Sequence, residues 1–191
     1  MKGDLIMTFD KFTIKAQEAI QSAVNTAQRN GQQTIEPVHI LAGVMDKGKD
    51  VVNYVFQKLG MNSQMVETAV QNEINHLPKV SGGEPYFSPE ANKVMQRTLD
   101  ISQKLGDEFV SIEPLLLALL NVNSTASRLL KDAGCTEKDL KAAINDLRQG
   151  QKVQSQSGDE NYQALKKYAR NLVVKMKDQI RLLRECVRNE V

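Results

Sequence analysis

A four-part motif occurs twice in this chain, in the same order. Phe12-Thr13-Ile14-Lys15-Ala16 is echoed by Phe87-Ser88-Pro89-Glu90-Ala91, and Gln28-Arg29-Asn30-Gly31 by Gln103-Lys104-Leu105-Gly106. Ile35-Glu36-Pro37 returns as Ile112-Glu113-Pro114, and Lys58-Leu59-Gly60 as Asp132-Ala133-Gly134. Ordered matches of this kind mark one supersecondary unit used twice. The fold must therefore serve two copies of one local plan.

Each half reads as four helices. Thr13 is an N-cap, and Ala16, Ile20, Ala23, Val24 and Ala27 form one face at helical spacing. Gly31 suits a left-handed helix end, and Pro37 tolerates a first turn that opens Val38 to Met45. Asp50 is read as the cap of Val51 to Leu59, and Asn62 or Ser63 as the start of a helix to about His76. In the second half Ser88 caps and Gly106 closes. Leu115 to Leu120 is apolar all round, as a central buried helix is. Ser124 starts a short helix, and Thr136 with Asp139 opens the last one. Aromatic residues are only 5% and Trp is absent, so Leu, Ile, Val, Ala and Met must build the core, a palette that favours helices.

The expected fold class is all-α: an eight-helix bundle of two four-helix repeats, about 12–77 and 87–148, within a domain of residues 7–148. Residues 1–6 read as an unstructured extension. Leu77 to Tyr86, with two prolines and two glycines, reads as an irregular loop. Residues 149–161 are Gln, Ser, Gly and charge around a single Val153, the composition of a flexible linker. Residues 162–191 carry Leu165, Ala169, Leu172, Met176, Ile180, Leu183 and Val187 at spacings of three and four, an amphipathic helix with eight Lys/Arg against three Asp/Glu. The net charge of +2 comes from this tail and is too small to imply a polyanionic partner, so no nucleic acid is expected.

Catalytic signals are weak. Gly48-Lys49 runs into Asp50, without the Ser/Thr or upstream glycine of a phosphate loop. His39 and His76 stand alone and read as helix-face residues, and Cys135 beside Gly134 reads as a turn or core thiol. No catalytic or metal residues and no cofactor are assigned. No apolar run reaches the roughly 18 residues that span a bilayer; the start is not a secretory signal, and two cysteines form no disulfide framework. The expected setting is cytoplasmic, with no membrane partner.

Binding is the remaining class. Asp107-Glu108-Phe109-Val110-Ser111-Ile112-Glu113 places acid on both sides of apolar residues where one helix ends and a buried one begins. One reading is capping, with Ser111 and Glu113 serving helix N–H groups. The other is a shallow acid-rimmed apolar groove for an extended peptide. The two can coexist.

The repeats, Ile35-Glu36-Pro37-Val38-His39-Ile40-Leu41, His76-Leu77-Pro78-Lys79-Val80-Ser81-Gly82-Gly83 and Gly106 to Glu113 together resemble the N-terminal Clp R domain of the ClpB-type AAA+ disaggregases. The likeness covers about residues 7–150 and runs on into Tyr162 to Leu172. It implies a non-enzymatic domain that weakly binds unfolded or aggregated polypeptide during disaggregation and refolding under heat stress. It implies substrate contacts at Thr13, Asp107 and Glu113, with Phe12, Met95, Val110 and Leu115 as groove neighbours. The implied partners are unfolded or aggregated polypeptides, the full-length hexamer and a DnaK-type chaperone system. ATP and Mg belong to the full-length family only. The alternative the resemblance allows is adaptor docking, as in protease-coupled Clp unfoldases. After Leu172 the family's Gly-Lys-Leu-Asp-Pro-Val-Ile-Gly-Arg signature is replaced by Val173-Val174-Lys175-Met176-Lys177, so the chain reads as truncated or diverged before its ATPase module.

Overall fold

The computed structural model describes residues 9–80 and 83–159. Residues 1–6 and the helix expected over 162–191 lie outside the described residues. Within the described part a short 3-10 turn, Phe9–Lys11, precedes eight α-helices: α1 Ile14–Arg29, α2 Pro37–Lys47, α3 Lys49–Leu59, α4 Ser63–His76, α5 Pro89–Leu105, α6 Ile112–Asn121, α7 Thr125–Asp132 and α8 Glu137–Arg148.

Local chemistry explains most boundaries. Thr13, Asn62, Ser88, Ser124 and Thr136 each accept the backbone N–H three residues ahead and satisfy a donor the helix leaves free. Gly60 and Gly106 end α3 and α5 at φ near 70°, a conformation that burdens any residue with a Cβ. One start differs from the sequence reading. α3 begins at Lys49 behind Gly48, and Asp50 lies inside its first turn, where its charge meets the helix dipole instead of capping.

α1 lies on α2 and α5 on α6, while α2 meets α6, α3 meets α8 and α4 meets α7. The central helix α6 is buried from Ile112 to Leu120. Two short parallel pairings tie the segments that enter these helices. β1 (Thr34–Ile35) pairs with β2 (Tyr86–Phe87), and Phe12 bridges Val110. The end of the expected irregular loop is thus a strand, fixed by the Tyr86 N–H to the Gln33 carbonyl. His39 lies on the buried face of α2. Its Nδ1 accepts the Glu36 N–H at 3.0 Å, and its Nε2 faces Gln32 Oε1 at 2.8 Å. Gln32 in turn donates to the carbonyl of Ile74 at the end of α4.

The α1–α2 crossing is close because α1 offers Ala16, Ala19, Ala23 and Ala27 and α2 offers Gly43. A Cβ on Gly43 would stand 2.0 Å from the backbone oxygen of Ala19. In an exposed helix Gly→Ala stabilises by roughly 0.5–1 kcal/mol. Here the sign inverts, because the obstacle is backbone. Gly43→Ala is expected to cost about 2 kcal/mol and lower the melting temperature by about 4–8 °C, read by thermal circular dichroism.

Candidate functional site

Gly106 turns the chain out of α5 and delivers Asp107 inward, while Ser111 and Glu113 sit at the start of α6. The last residue of α8, Arg148, reaches all three. Its Nη1 donates to Asp107 Oδ2 at 2.8 Å, its Nε to Glu113 Oε1 at 3.1 Å and its Nη2 to Ser111 Oγ at 2.9 Å. Both carboxylates are fully buried and the guanidinium nearly so. A planar fork of donors suits two acids held apart by a short loop, and a lysine could not span them. The acids therefore do not rim an open groove. They hold an internal cation that fastens α8 to the α5–α6 connection.

The segment after α8 is not free. Gln149 (φ 49°) and Gly150 (φ 79°) reverse the chain, which returns across the bundle as far as Asp159. The Val153 N–H donates to Asp107 Oδ1 at 3.0 Å, and the Val153 carbonyl accepts from the N–H groups of Glu108 at 2.9 Å and Phe109 at 3.3 Å. The Gln156 carbonyl accepts the Ile14 N–H at 2.9 Å. Asp159 Oδ1 accepts the Ile112 N–H at 3.4 Å, and Oδ2 accepts the Thr13 hydroxyl. Val153 is completely buried and Asp159 is 1% exposed. The linker expected over 149–161 is thus, through residue 159, a docked strap. Its polar composition is compatible with docking because backbone groups make most of its bonds.

Six of the seven candidate residues are buried, and Asp107 is half-buried with its carboxylate fully covered. Thr13 caps α1 by accepting the Ala16 N–H at 3.2 Å and also meets Asp159. Asp107 and Glu113 meet at Arg148. Phe12 and Val110 meet in the backbone bridge, reinforced by the Thr13 N–H to the Val110 carbonyl at 2.9 Å. Met95 and Leu115 have no exposure and belong to the hydrophobic core, so neither reaches the surface. The open groove expected from the sequence is therefore a covered one. Apolar surface beside it remains at Phe9 and Ile14, 38% and 51% exposed. Arg148, Val153 and Asp159 were not singled out by the sequence, because their partners lie 35 to 146 positions away.

Burial pushes the Asp159 carboxyl up to about 7, and the charge of Glu113 pushes the same way; the Thr13 and Ile112 hydrogen bonds and Lys15 oppose it. Glu113 Oε2 is buried with no hydrogen-bond partner among the described residues. Elsewhere, burial pushes the Cys135 thiol up to about 11, with Asp139 adding to it, which leaves the thiol protonated and unreactive near neutral pH. Two half-open grooves of about 260 and 300 Å³ lie against α5, α6 and α8 and against α1, α2 and α4, and neither is lined by any of the seven candidates.

The description of the Clp repeat (R) N-terminal domain matches residues 11–133. The chaperone protein ClpB of Bacteroides thetaiotaomicron is 61% identical over 166 residues, covering 87% of this chain and 19% of that protein. ClpB of Porphyromonas gingivalis is 48% identical over 172 residues, covering 90% of this chain and 20% of that protein. The chain thus spans about a fifth of the length of these curated relatives. Among solved structures, the Hsp104 N-terminal domain of Candida albicans superimposes with a TM-score of 0.71 at 23% identity, covering 78% of this chain and 99% of that one. A ClpV N-domain in complex with a VipB peptide gives 0.58 at 18% identity, covering 72% and 86%. A match over residues 11–133 together with 61% identity to ClpB leaves one assignment: this chain belongs to the Clp repeat (R) N-terminal domain family.

Proposed function

We propose that this domain is a non-catalytic polypeptide-recognition module of a ClpB-type chaperone, weakly engaging unfolded or aggregated chains for disaggregation. One observation carries the reading. The Asp107–Phe109 loop engages both backbone groups of a single residue, accepting its N–H and donating two N–H groups to its carbonyl. That pairing recognises an extended backbone whatever its side chains, which is what a receptor for unfolded chains requires. Phe9 and Ile14 extend the surface with apolar area.

Titrating the full chain into fluorescently labelled, reduced and carboxymethylated lactalbumin, a permanently unfolded protein, tests it. Saturable binding that is weak and fast to reverse is the expected result. Absence of binding at saturating concentration overturns the reading. Adaptor docking is the second reading, favoured by the likeness to a ClpV N-domain that holds a defined peptide. It predicts no affinity for lactalbumin and tight capture of one folded partner.

A further inference from the structure

The strap has the attributes of a ligand. It brings an aliphatic side chain that is wholly buried, a backbone bonded on both sides, and a side chain aimed at the Thr13 hydroxyl and the α6 N-terminus. Its far end fits poorly. Asp159 places a second carboxyl beside Glu113, where Arg148 already answers both Asp107 and Glu113. Glu113 Oε2 lacks a donor, and an ionised Asp159, which accepts from both Thr13 and Ile112, gives it none. A buried acceptor left unsatisfied costs about 1–3 kcal/mol, so the site favours a group with an N–H at this point.

We infer that residues 151–159 are a resident occupant of the peptide site, and that the polypeptides which displace them carry an aliphatic residue at the Val153 position and an N–H donor, such as a carboxamide, at the Asp159 position. This rests on the peptide-recognition reading for its substrate, but the strap's occupancy stands on its own contacts. A mismatched occupant keeps the Asp107–Phe109 backbone-pairing loop covered and yields to a better matched chain. The affinity seen by an outside peptide is then reduced by the fraction of time the strap is docked.

The test uses the full chain and two labelled synthetic copies of residues 150–159, one native and one carrying Asp159→Asn. Fluorescence anisotropy should show Val153→Asp protein binding both peptides at least about tenfold more tightly than the unsubstituted protein. The Asp159→Asn peptide should bind more tightly than the native copy. Protein carrying Asp159→Asn, an isosteric change, should hold its strap more firmly and bind both peptides more weakly. Equal affinities for Val153→Asp and unsubstituted protein with helix content unchanged, a native peptide that outbinds the Asn copy, or unchanged binding by the Asp159→Asn protein each overturn the inference. Carboxymethylated lactalbumin, run in parallel, separates the two ideas. Peptide shifts without lactalbumin binding sink only the substrate reading. Lactalbumin bound equally by Val153→Asp and unsubstituted protein sinks only the resident strap.

Discussion

Replacing Arg148 with alanine should lower the melting temperature by about 10 °C or more. The guanidinium is the one cation placed between Asp107 and Glu113 by the ion pairs among the described residues, and both acids are fully buried. Removing one partner of a buried ion pair leaves charge uncompensated in a poorly polarisable interior and costs about 3–5 kcal/mol. For a domain of this size each kcal/mol is worth about 2–4 °C. The loss should be non-additive with changes in its partners. Asp107→Asn with Glu113→Gln in the Arg148→Ala background should recover part of it, since neutral amides replace the stranded carboxylates. Urea and thermal unfolding of these two variants, of Asp107→Asn with Glu113→Gln alone and of the unsubstituted protein give the coupling directly. An unchanged melting temperature in Arg148→Ala would show that the acids do not depend on this cation. The same reasoning bears on binding assays: Asp107→Ala or Glu113→Ala would remove one of the two buried carboxylates that Arg148 meets, so lost affinity in either counts as a site effect only when the unfolding midpoint is preserved.

What could be read from the sequence is what short-range chemistry decides. Thr13, Ser88, Ser124 and Thr136 reach only three residues ahead, so a cap is visible in four letters. Gly31, Gly60, Gly106 and Gly134 all take positive φ, as their places at helix ends require. The apolar run of α6 announces its burial. The matched Ile-Glu-Pro triplets were less informative. Pro37 is the first residue of α2, whereas Pro114 is the third of α6, so equal letters occupy different places. Phe12–Val110 and Phe87–Ile35 instead pair in like fashion. The strap was illegible for a physical reason. Apart from Val153 it attaches through backbone groups and Asp159, and neither a backbone carbonyl nor an acid in a Ser/Gln-rich stretch advertises a partner far along the chain. Arg148 likewise looks like any cation placed against a helix C-terminus. The residues themselves showed a helix cap at Thr13 and an acidic stretch from Asp107 to Glu113; the family resemblance grouped them, and neither pointed to Arg148 or the strap.

Two buried groups should give the stability a pH dependence whose parts oppose each other. Burial holds His39 down to about 4, below its ordinary 6.5, and its Nδ1 must stay unprotonated to accept the Glu36 N–H. The folded state therefore binds this proton less readily than the unfolded chain. The His39 contribution is whole above the unfolded value and is lost as pH falls toward 4, amounting to roughly 3 kcal/mol. Asp159 runs the other way. Its carboxyl, near 7 when docked against an ordinary 3.8, makes the ionised strap costly above neutrality, and that cost is relieved as pH falls through 7. Glu113, Thr13, the Ile112 N–H and Lys15 surround this carboxyl, and of these Glu113 is the charge that opposes ionisation. Unfolding midpoints of the unsubstituted protein between about pH 5 and 8 should then vary less than His39 alone would make them. Asp159→Asn removes one of the two opposing slopes. Its stability advantage over the unsubstituted protein should be greatest near pH 8, shrink through neutrality and nearly vanish by about pH 4. Urea titrations of both proteins across that range give the difference directly, and other carboxylates cancel in the comparison. Parallel profiles would mean that the carboxyl stays solvated and the strap undocked.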